Sequence, residues 1–177
     1  RLGERIDATR PRSQAAIVLS YEARWALEAG LGVPEWDPAQ DAIAVHEALR
    51  DRNVPTDALD PREDLSSYRL VFAPRMFSLD PQTADNLLAF VEQGGTLCLT
   101  APSGVVDAHN VSFETPRPGP LAEAAGIRVS DLSPLHEPVP LQSDGIPGLA
   151  GTEASVLAGS LGIVRRLPAT DALARMG

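Results

Sequence analysis

The clearest pattern of apolar and polar positions lies in the middle of the chain. Residues 70–74 are a continuous apolar run, typical of a strand buried on both faces of a parallel sheet. A helix is predicted next, because Asp80 can cap it and Pro81 suits its first position. Gly94 and Gly95 predict its left-handed end, before a second strand at 96–100. The helix carries apolar residues at i, i+3, i+4 and i+7: Ala84, Leu87, Leu88 and Val91. This stretch therefore predicts a right-handed β-α-β unit.

The pattern predicts further elements on both sides of this unit. Upstream they are a buried strand at 15–19, a loop or short helical turn at 20–25, a helix from Asp37 to about Arg52, and an edge-like strand at 54–59. Downstream they are a short helix at 121–126, a strand at 127–129 and two short β-like runs within 155–167. This order predicts an α/β fold, a three-layer sandwich with a mainly parallel sheet, flavodoxin-like or class I glutamine-amidotransferase-like.

The polar start of the chain sets an expectation for its organisation. Residues 1–13 are rich in arginine and are expected to be a linker or lead-in. Residues 14–177 are expected to form a single domain. Because the chain begins at Arg1 and not at methionine, we expect it to be a fragment of a longer polypeptide.

Composition narrows the function classes. The formal net charge of −9 argues against partners that are nucleic acids or anionic membrane surfaces, since both select clustered Lys and Arg. No apolar run approaches the roughly 20 residues that span a bilayer, and no signal-peptide pattern is present. The single cysteine excludes an internal disulfide framework. We therefore expect a cytoplasmic protein that binds neither nucleic acid nor membrane.

Few residues suggest catalysis. In related α/β folds a catalytic cysteine sits on a tight turn after a strand, whereas Cys98 lies between Leu97 and Leu99 in mid-strand. Cys98 is therefore expected to be a buried, unreactive residue of the core. Arg75 and Met76 follow the strand at the position of such a turn, and neither can act as a nucleophile. We predict no catalytic, cofactor-binding or metal-binding residue, and no cofactor.

The polar residues at the strand ends leave an alternative open. Glu22 and Asp60 could form a carboxylate pair of the kind used in glycoside hydrolysis, although helix capping and turn formation explain them too. The three histidines lack the spacing of metal ligands. The alternative function is a small-molecule-binding or hydrolytic domain, whose crevice would join Glu22, Arg75 and Ser103.

Several aromatic residues fall outside the predicted strands and helices, and they suggest an interface. Aromatics at such positions either complete the core or form the centre of a protein–protein contact. In this chain they are Tyr21, Trp25, Trp36 and Phe77. The candidate interface, near the carboxyl edge of the sheet, comprises Tyr21, Glu22, Trp25, Arg75 and Phe77.

An ordered set of segments resembles one known family, the trimerisation domain of bacterial β-galactosidases of glycoside hydrolase family 42. The similarity covers about residues 2–135. The segments that carry it are 2–3 (LG), 16–26 (AIVLSYEARWA), 54–57 (VPTD), 64–71 (DLSSYRLV), 90–96 (FVEQGGT), 103–110 (SGVVDAHN), 118–121 (PGPL) and 125–127 (AGI).

The resemblance implies an amidotransferase-like fold without the amidotransferase site. It also implies a non-catalytic assembly domain that packs against a catalytic TIM barrel of the same parent chain and against the other subunits of a homotrimer. In that family the catalytic glutamates belong to the barrel, so none is assigned to this chain. The chain itself is expected to be non-catalytic, and its parent to be a β-galactosidase.

Overall fold

A computed structural model describes residues 13–31, 36–129 and the backbone of 161–165. Five strands in these residues form one sheet with the order β2-β1-β3-β4-β5. The first four strands run parallel, and β5 pairs antiparallel to β4, with Cys98 opposite Ile163. The strands are β1 (Ala15–Val18), β2 (Thr56–Leu59), β3 (Leu70–Ala73), β4 (Thr96–Thr100) and β5 (Leu161–Arg165). The predicted α/β fold with a mainly parallel sheet is therefore confirmed, and the predicted edge position of β2 is correct.

Helices pack on both faces of this sheet. They are α1 (Tyr21–Leu31), α2 (Pro38–Arg50), α3 (Pro81–Glu92) and the short α4 (Ala122–Ala125), which continues a 3₁₀ turn at Gly119–Leu121. The chain moves one way along the sheet from β1 to β2 and the other way from β3 to β4. Right-handed crossovers therefore place α1 and α2 on the face opposite α3. The result is the predicted three-layer sandwich, while its likeness to amidotransferases stays a prediction.

The main core lies between α3 and the sheet. Alternate strand residues point to this face, where they meet an apolar stripe of α3 and the short α4. The buried members include Val71, Ala73, Leu97 and Leu99 of the sheet, with Leu87, Phe90 and Val91 of α3. Three of the four residues of the predicted stripe, Ala84, Leu87 and Val91, are buried, whereas Leu88 is only partly buried.

Both ends of α3 form as the sequence predicts. The Asp80 side chain accepts a hydrogen bond from the Thr83 N–H at 3.0 Å. At the other end Gly94 has φ +93°, and its N–H donates to the Val91 carbonyl. Gly95 is required for space, because a Cβ there would lie 2.3 Å from the buried Phe90 ring. The turn therefore sets the register in which α3 delivers the chain to β4.

Helix α1 is longer than the sequence indicated. The loop or short turn predicted at 20–25 is an eleven-residue helix. Ser20 caps it by accepting a hydrogen bond from the Ala23 N–H, and Ala23, Ala26 and Leu27 make a buried face of three small or medium side chains. Because this face is short and alanine-rich, its period is weak beside that of α3.

The remaining differences lie at element ends. Helix α2 ends at Arg50 rather than Arg52, and β2 begins at Thr56 rather than 54. Residues 127–129 make no strand, only a single bridge between Val129 and Arg117. The second of the predicted β-like runs corresponds to β5. The first run, residues 1–12 of the predicted lead-in and the stretch 130–160 lie outside the described residues.

Candidate functional site at the carboxyl ends of the strands

A crevice of about 350 Å³ opens where the chain reverses its direction along the sheet. Strands β1 and β3 are neighbours here, and their connections leave toward opposite faces. Ligand and partner sites of open α/β sheets lie at such a point, beyond the carboxyl ends of the strands. Ser20 follows β1, Arg62 follows β2, Ser78 follows β3 and Asn110 follows β4, and all four line the crevice.

A second depression, of about 590 Å³, lies at the opposite end of the sheet. Its lining comes from the starts of β1, β3 and β4, including Gln14, Arg69 and Gly95. The amino ends of parallel strands lack the diverging loops that build sites in this fold class. The crevice at the carboxyl ends is therefore the candidate site.

Arg62 organises the charges of the crevice. Its Nη2 lies 3.3 Å from Oε1 of Glu22 and 3.1 Å from Oδ2 of Asp80, while its Nη1 lies 3.9 Å from Oδ2 of Asp60. Ser20 adds a hydrogen bond to the other carboxylate oxygen of Glu22. The guanidinium thus connects the start of α1, the turn after β2 and the start of α3.

Hydrogen bonds in the network lower the pKa of two carboxyl groups, those of Glu22 and Asp80. A hydrogen bond from its own backbone N–H, with further bonds from Ser20 and Arg62, lowers the pKa of Glu22. Burial alone would raise the pKa of Asp80, but the hydrogen bonds from Thr83 and Arg62 outweigh it and lower that pKa. A general acid of a glycosidase needs the opposite shift. Glu22 therefore lacks the raised pKa of a general acid, and it shares the Arg62 guanidinium with Asp60.

Tyr21 and Trp25 form an exposed aromatic pair beside the crevice. They stand four residues apart on α1, with ring centroids 6.0 Å apart and planes tilted by 41°. Tyr21 is 66% exposed and Trp25 is 62% exposed, and Trp25 also lines the crevice. Two large rings held in water are an unfavourable arrangement unless another surface covers them. Of the five candidate interface residues, three have exposed side chains: Tyr21, Glu22 and Trp25.

Phe77 and Trp36 belong to the core of the domain. Phe77 is 3% exposed and Trp36 6%, in a small apolar cluster with Ala26, Leu27, Val105 and Val106. This cluster joins α1 to the loops after β3 and β4. The Phe77 ring is therefore buried and is not exposed to a partner. Of the two roles considered for these aromatics, core or interface, Phe77 has the core role.

Arg75 is also buried, and it occupies the turn after β3. Its backbone has φ +42°, and its guanidinium binds Asp41 through Nε at 2.7 Å and stacks on Trp36 at 5.4 Å from the ring centroid. The Arg75 N–H donates to Oγ1 of Thr100. Arg75 therefore fastens α2 to the strand ends and offers no surface to a partner.

The same turn lacks the parts of a hydrolytic site. Where a nucleophile would stand there is the Arg75 side chain, directed to Asp41. The next N–H, that of Met76, would serve as an oxyanion donor, but it donates to Oγ of Ser103 at 3.0 Å. Glu22, Arg75 and Ser103 are not drawn into one pocket, since only Glu22 lines the crevice.

Cys98, His46 and His109 do not line the crevice. Cys98 is half-buried rather than fully buried, and desolvation raises the pKa of its thiol, which disfavours the reactive thiolate. His46 and His109 are exposed, and His136 lies outside the described residues. Within 13–31, 36–129 and 161–165, no group of three or more His, Cys, Asp and Glu side chains could hold a metal ion. No helix in this part of the chain is long and apolar enough to cross a membrane.

Sequence reasoning missed the central residue of the site. Arg62 carries no local signal, since an arginine three residues after a strand is ordinary. Asp80 was identified only as a helix cap, although it also accepts a hydrogen bond from Arg62. Their position after the carboxyl ends of neighbouring strands is the signal that could have found both.

Comparison with known proteins gives a consistent result. The family model described as the β-galactosidase trimerisation domain matches residues 13–156. The β-galactosidase BglY of Alicyclobacillus acidocaldarius is 36% identical over 162 residues, which cover 85% of this chain and 24% of that protein. The β-galactosidase BgaH of Haloferax lucentense is 32% identical over 164 residues, covering 92% and 25%. The crystal structure of a β-galactosidase from Bacillus circulans sp. alkalophilus matches with a TM-score of 0.78 and 30% identity, over 90% of this chain and 24% of that one. The chain spans about a quarter of the length of these relatives.

Proposed function

The chain belongs to the β-galactosidase trimerisation domain family, and from this premise we propose that it is the non-catalytic assembly module of a longer β-galactosidase. In that enzyme the module packs against a catalytic TIM barrel of the same polypeptide and joins three copies into a homotrimer. The observation that carries the proposal is the family match over 13–156, in relatives about four times as long as the matched region. The catalytic barrel, the trimeric state and the hydrolysis of β-galactosides are all properties that we propose for the parent enzyme.

The proposed subunit contact is the exposed face of α1. Tyr21 and Trp25 expose more than three fifths of their surface, and Glu22 lies between them in the sequence. Large rings bury much apolar area at a small cost in side-chain entropy, so they commonly form the centre of an interface. A cyclic trimer uses heterologous contacts, so this face meets a different patch of the neighbour.

Location and domain bounds complete the proposal. We propose a cytoplasmic location, supported by the single free thiol and the acidic, readily soluble composition. Cell fractionation of the full-length protein tests it. One domain over 14–177 after a lead-in at 1–13 stays a prediction.

Trp25→Ala in the full-length enzyme tests the contact. Because the ring is exposed in the domain, we expect the variant to weaken trimerisation at least tenfold while the melting temperature of the domain changes little. Light scattering over a dilution series measures the first quantity, and thermal unfolding of the 177-residue chain the second.

Ile43→Ala is the matched control. Ile43 is an apolar residue on α2 with 51% of its surface exposed, and it therefore belongs to a different helix from the aromatic pair. We expect its variant to remain trimeric. An intact trimer for Trp25→Ala together with a sharply lowered melting temperature would show that Trp25 supports the fold rather than the subunit contact, and the proposed contact would be wrong.

A further inference from the structure

The two exposed rings of α1 are too small to form a stable subunit contact by themselves. A specific interface of standard size buries about 800 Å² on each partner. An aromatic side chain buries about 150–250 Å², so Tyr21 and Trp25 together supply at most about 500 Å². If the exposed face of α1 is the centre of the subunit contact, that contact therefore extends onto a neighbouring part of the surface.

The loop at 107–111 is a neighbouring surface that carries a further exposed apolar side chain. Val111 is 60% exposed, and Ala108 and Asn110 of the same loop line the crevice together with Trp25. Leu31 and Ile43 are also exposed, but neither of them, nor a residue next to them in sequence, lines the crevice. The 107–111 loop is therefore the surface that continues the α1 face across the crevice.

Asp107 holds the 107–111 loop in one conformation. Its Oδ1 accepts hydrogen bonds from the Val111 N–H at 2.9 Å and from the His109 N–H at 2.8 Å, and these bonds lower the pKa of Asp107. The Asp107 N–H in turn donates to the Val111 carbonyl at 2.8 Å, and the Asn110 N–H donates to the Asp107 carbonyl at 3.1 Å. Because the loop is already ordered in the free domain, a partner that covers it loses little conformational entropy.

The same loop is fixed relative to α1 through the core. Val105 and Val106, directly before the loop, belong to the small buried apolar cluster that also contains Ala26 and Leu27 of α1. Val106 also pairs with Ser112, directly after the loop. The α1 face and the 107–111 loop therefore keep a fixed spacing, as two parts of one preformed surface.

We infer that a neighbouring subunit spans the crevice and covers the α1 face and the 107–111 loop together, with Val111 as a third apolar anchor beside Tyr21 and Trp25. The inference rests on the proposed function, since the match to a trimerisation domain is the reason to name a second copy of the parent chain as the occupant. A cyclic trimer uses heterologous contacts, so this surface meets a different patch of the neighbour. That patch is apolar where it meets the three side chains.

Val111→Ser in the full-length enzyme tests the role of the loop. Because Val111 is exposed in the domain and covered in the inferred contact, we expect the variant to weaken trimerisation about fivefold while the melting temperature of the domain changes little. Ile43→Ser, at an exposed apolar position on α2, is the matched control and is expected to leave the trimer unchanged. Light scattering over a dilution series measures trimerisation, and thermal unfolding of the 177-residue chain shows that each variant is folded.

Two variants of Asp107 test whether the shape of the loop positions Val111. Asp107→Asn keeps a side-chain oxygen that can accept from the Val111 and His109 N–H groups, whereas Asp107→Ala removes it and loosens the loop. We expect Asp107→Ala to weaken trimerisation about threefold and Asp107→Asn to remain close to wild type. If Asp107→Asn were as disruptive as Asp107→Ala, the positioning of Val111 by this turn would be wrong.

The inference and the proposed function fail separately. If Trp25→Ala weakens the trimer while Val111→Ser does not, the α1 face is the contact and the loop takes no part in it, which overturns the inference alone. An equal loss for Val111→Ser and Ile43→Ser would also overturn the inference, since it would show no preference for the crevice. If neither Trp25→Ala nor Val111→Ser weakens the trimer, the proposed contact and its extension are both wrong.

Discussion

Arg75 combines an unfavourable backbone with favourable side-chain contacts. A left-handed φ of +42° costs a non-glycine residue roughly 1–2 kcal/mol. The ion pair with Asp41, the contact with Trp36 and the hydrogen bond to the Ala101 carbonyl all need a guanidinium at this place. Since the residue is buried, these contacts hold α2 against the loop after β4 and outweigh the strain.

Substitution of Arg75 separates these two effects. Arg75→Ala should lower the free energy of unfolding by roughly 2–3 kcal/mol, because it leaves the partly buried Asp41 carboxylate without its closest partner and keeps the strained φ. Arg75→Gly loses the same contacts but relieves the strain, so it should be less destabilising by about 1 kcal/mol. Urea unfolding of the 177-residue chain measures both values. Arg75→Gly as unstable as Arg75→Ala would mean that the backbone stores no strain.

The exposure of individual side chains was the property that the sequence predicted least well. Arg75 and Phe77 follow a strand and appeared suited to an interface, but both are buried by loops that return from β4, through Ser103 and Val105. Such burial depends on residues some 25–30 positions away. Tyr21 and Trp25, in contrast, are exposed because their own helix turns them outward.

At the scale of elements, α3 joins the core to the crevice through its cap. Asp80 accepts from the Thr83 N–H, from its hydroxyl at 2.7 Å and from Arg62 at 3.1 Å. The negative charge also lies at the positive end of the helix dipole. The helix start and the charge network therefore share one carboxylate.

Asp80→Asn keeps the capping oxygen and removes the charge. Because the folded-state pKa of Asp80 is lowered below its usual value of 3.8, the stabilisation from ionisation is present above that value and is lost as pH falls through the lowered pKa. We expect the variant to be less stable by about 1 kcal/mol at pH 7, with the difference from wild type shrinking toward zero as pH falls below 3.8. Unfolding curves at several pH values measure it. A constant difference at all pH values would contradict the role of the charge.

The sequence predicts a helix or strand well where the periodicity of its hydrophobic residues is strong. The β3-α3-β4 unit is where it was predicted, because an apolar run, a cap with proline and paired glycines agree on the same bounds. Helix α1 was predicted as no more than a loop or short turn because its buried face is mostly alanine, which signals neither core nor surface. The bridge at Val129 was taken for a strand because three residues can satisfy a β pattern by chance.

At the scale of the whole molecule, the acidic charge of the chain opposes the proposed homotrimer. With a formal charge of −9, three copies repel one another at long range. The apolar rings of the proposed α1 contact therefore have to outweigh this repulsion when they are buried.

The antiparallel strand β5 has a consequence for the order in which the domain folds. It pairs with β4 across residues 101–160, whereas β3 and β4 pair across only 74–95. Closing the longer loop costs about 1 kcal/mol more in chain entropy, and contacts of this range form late. Until β5 arrives, one edge of β4 keeps unpaired backbone groups that can add a strand from another chain.

Pulsed hydrogen exchange during refolding should therefore show β1 and β3 protected before β5. Simultaneous protection of all three would place β5 in the folding nucleus. If the expected order holds, the nascent chain exposes the unpaired edge of β4 until β5 has been synthesised. Synthesis of the roughly sixty residues between them takes several seconds at about 5–20 residues per second. The domain is thus most exposed to unintended strand exchange before its own sheet is complete.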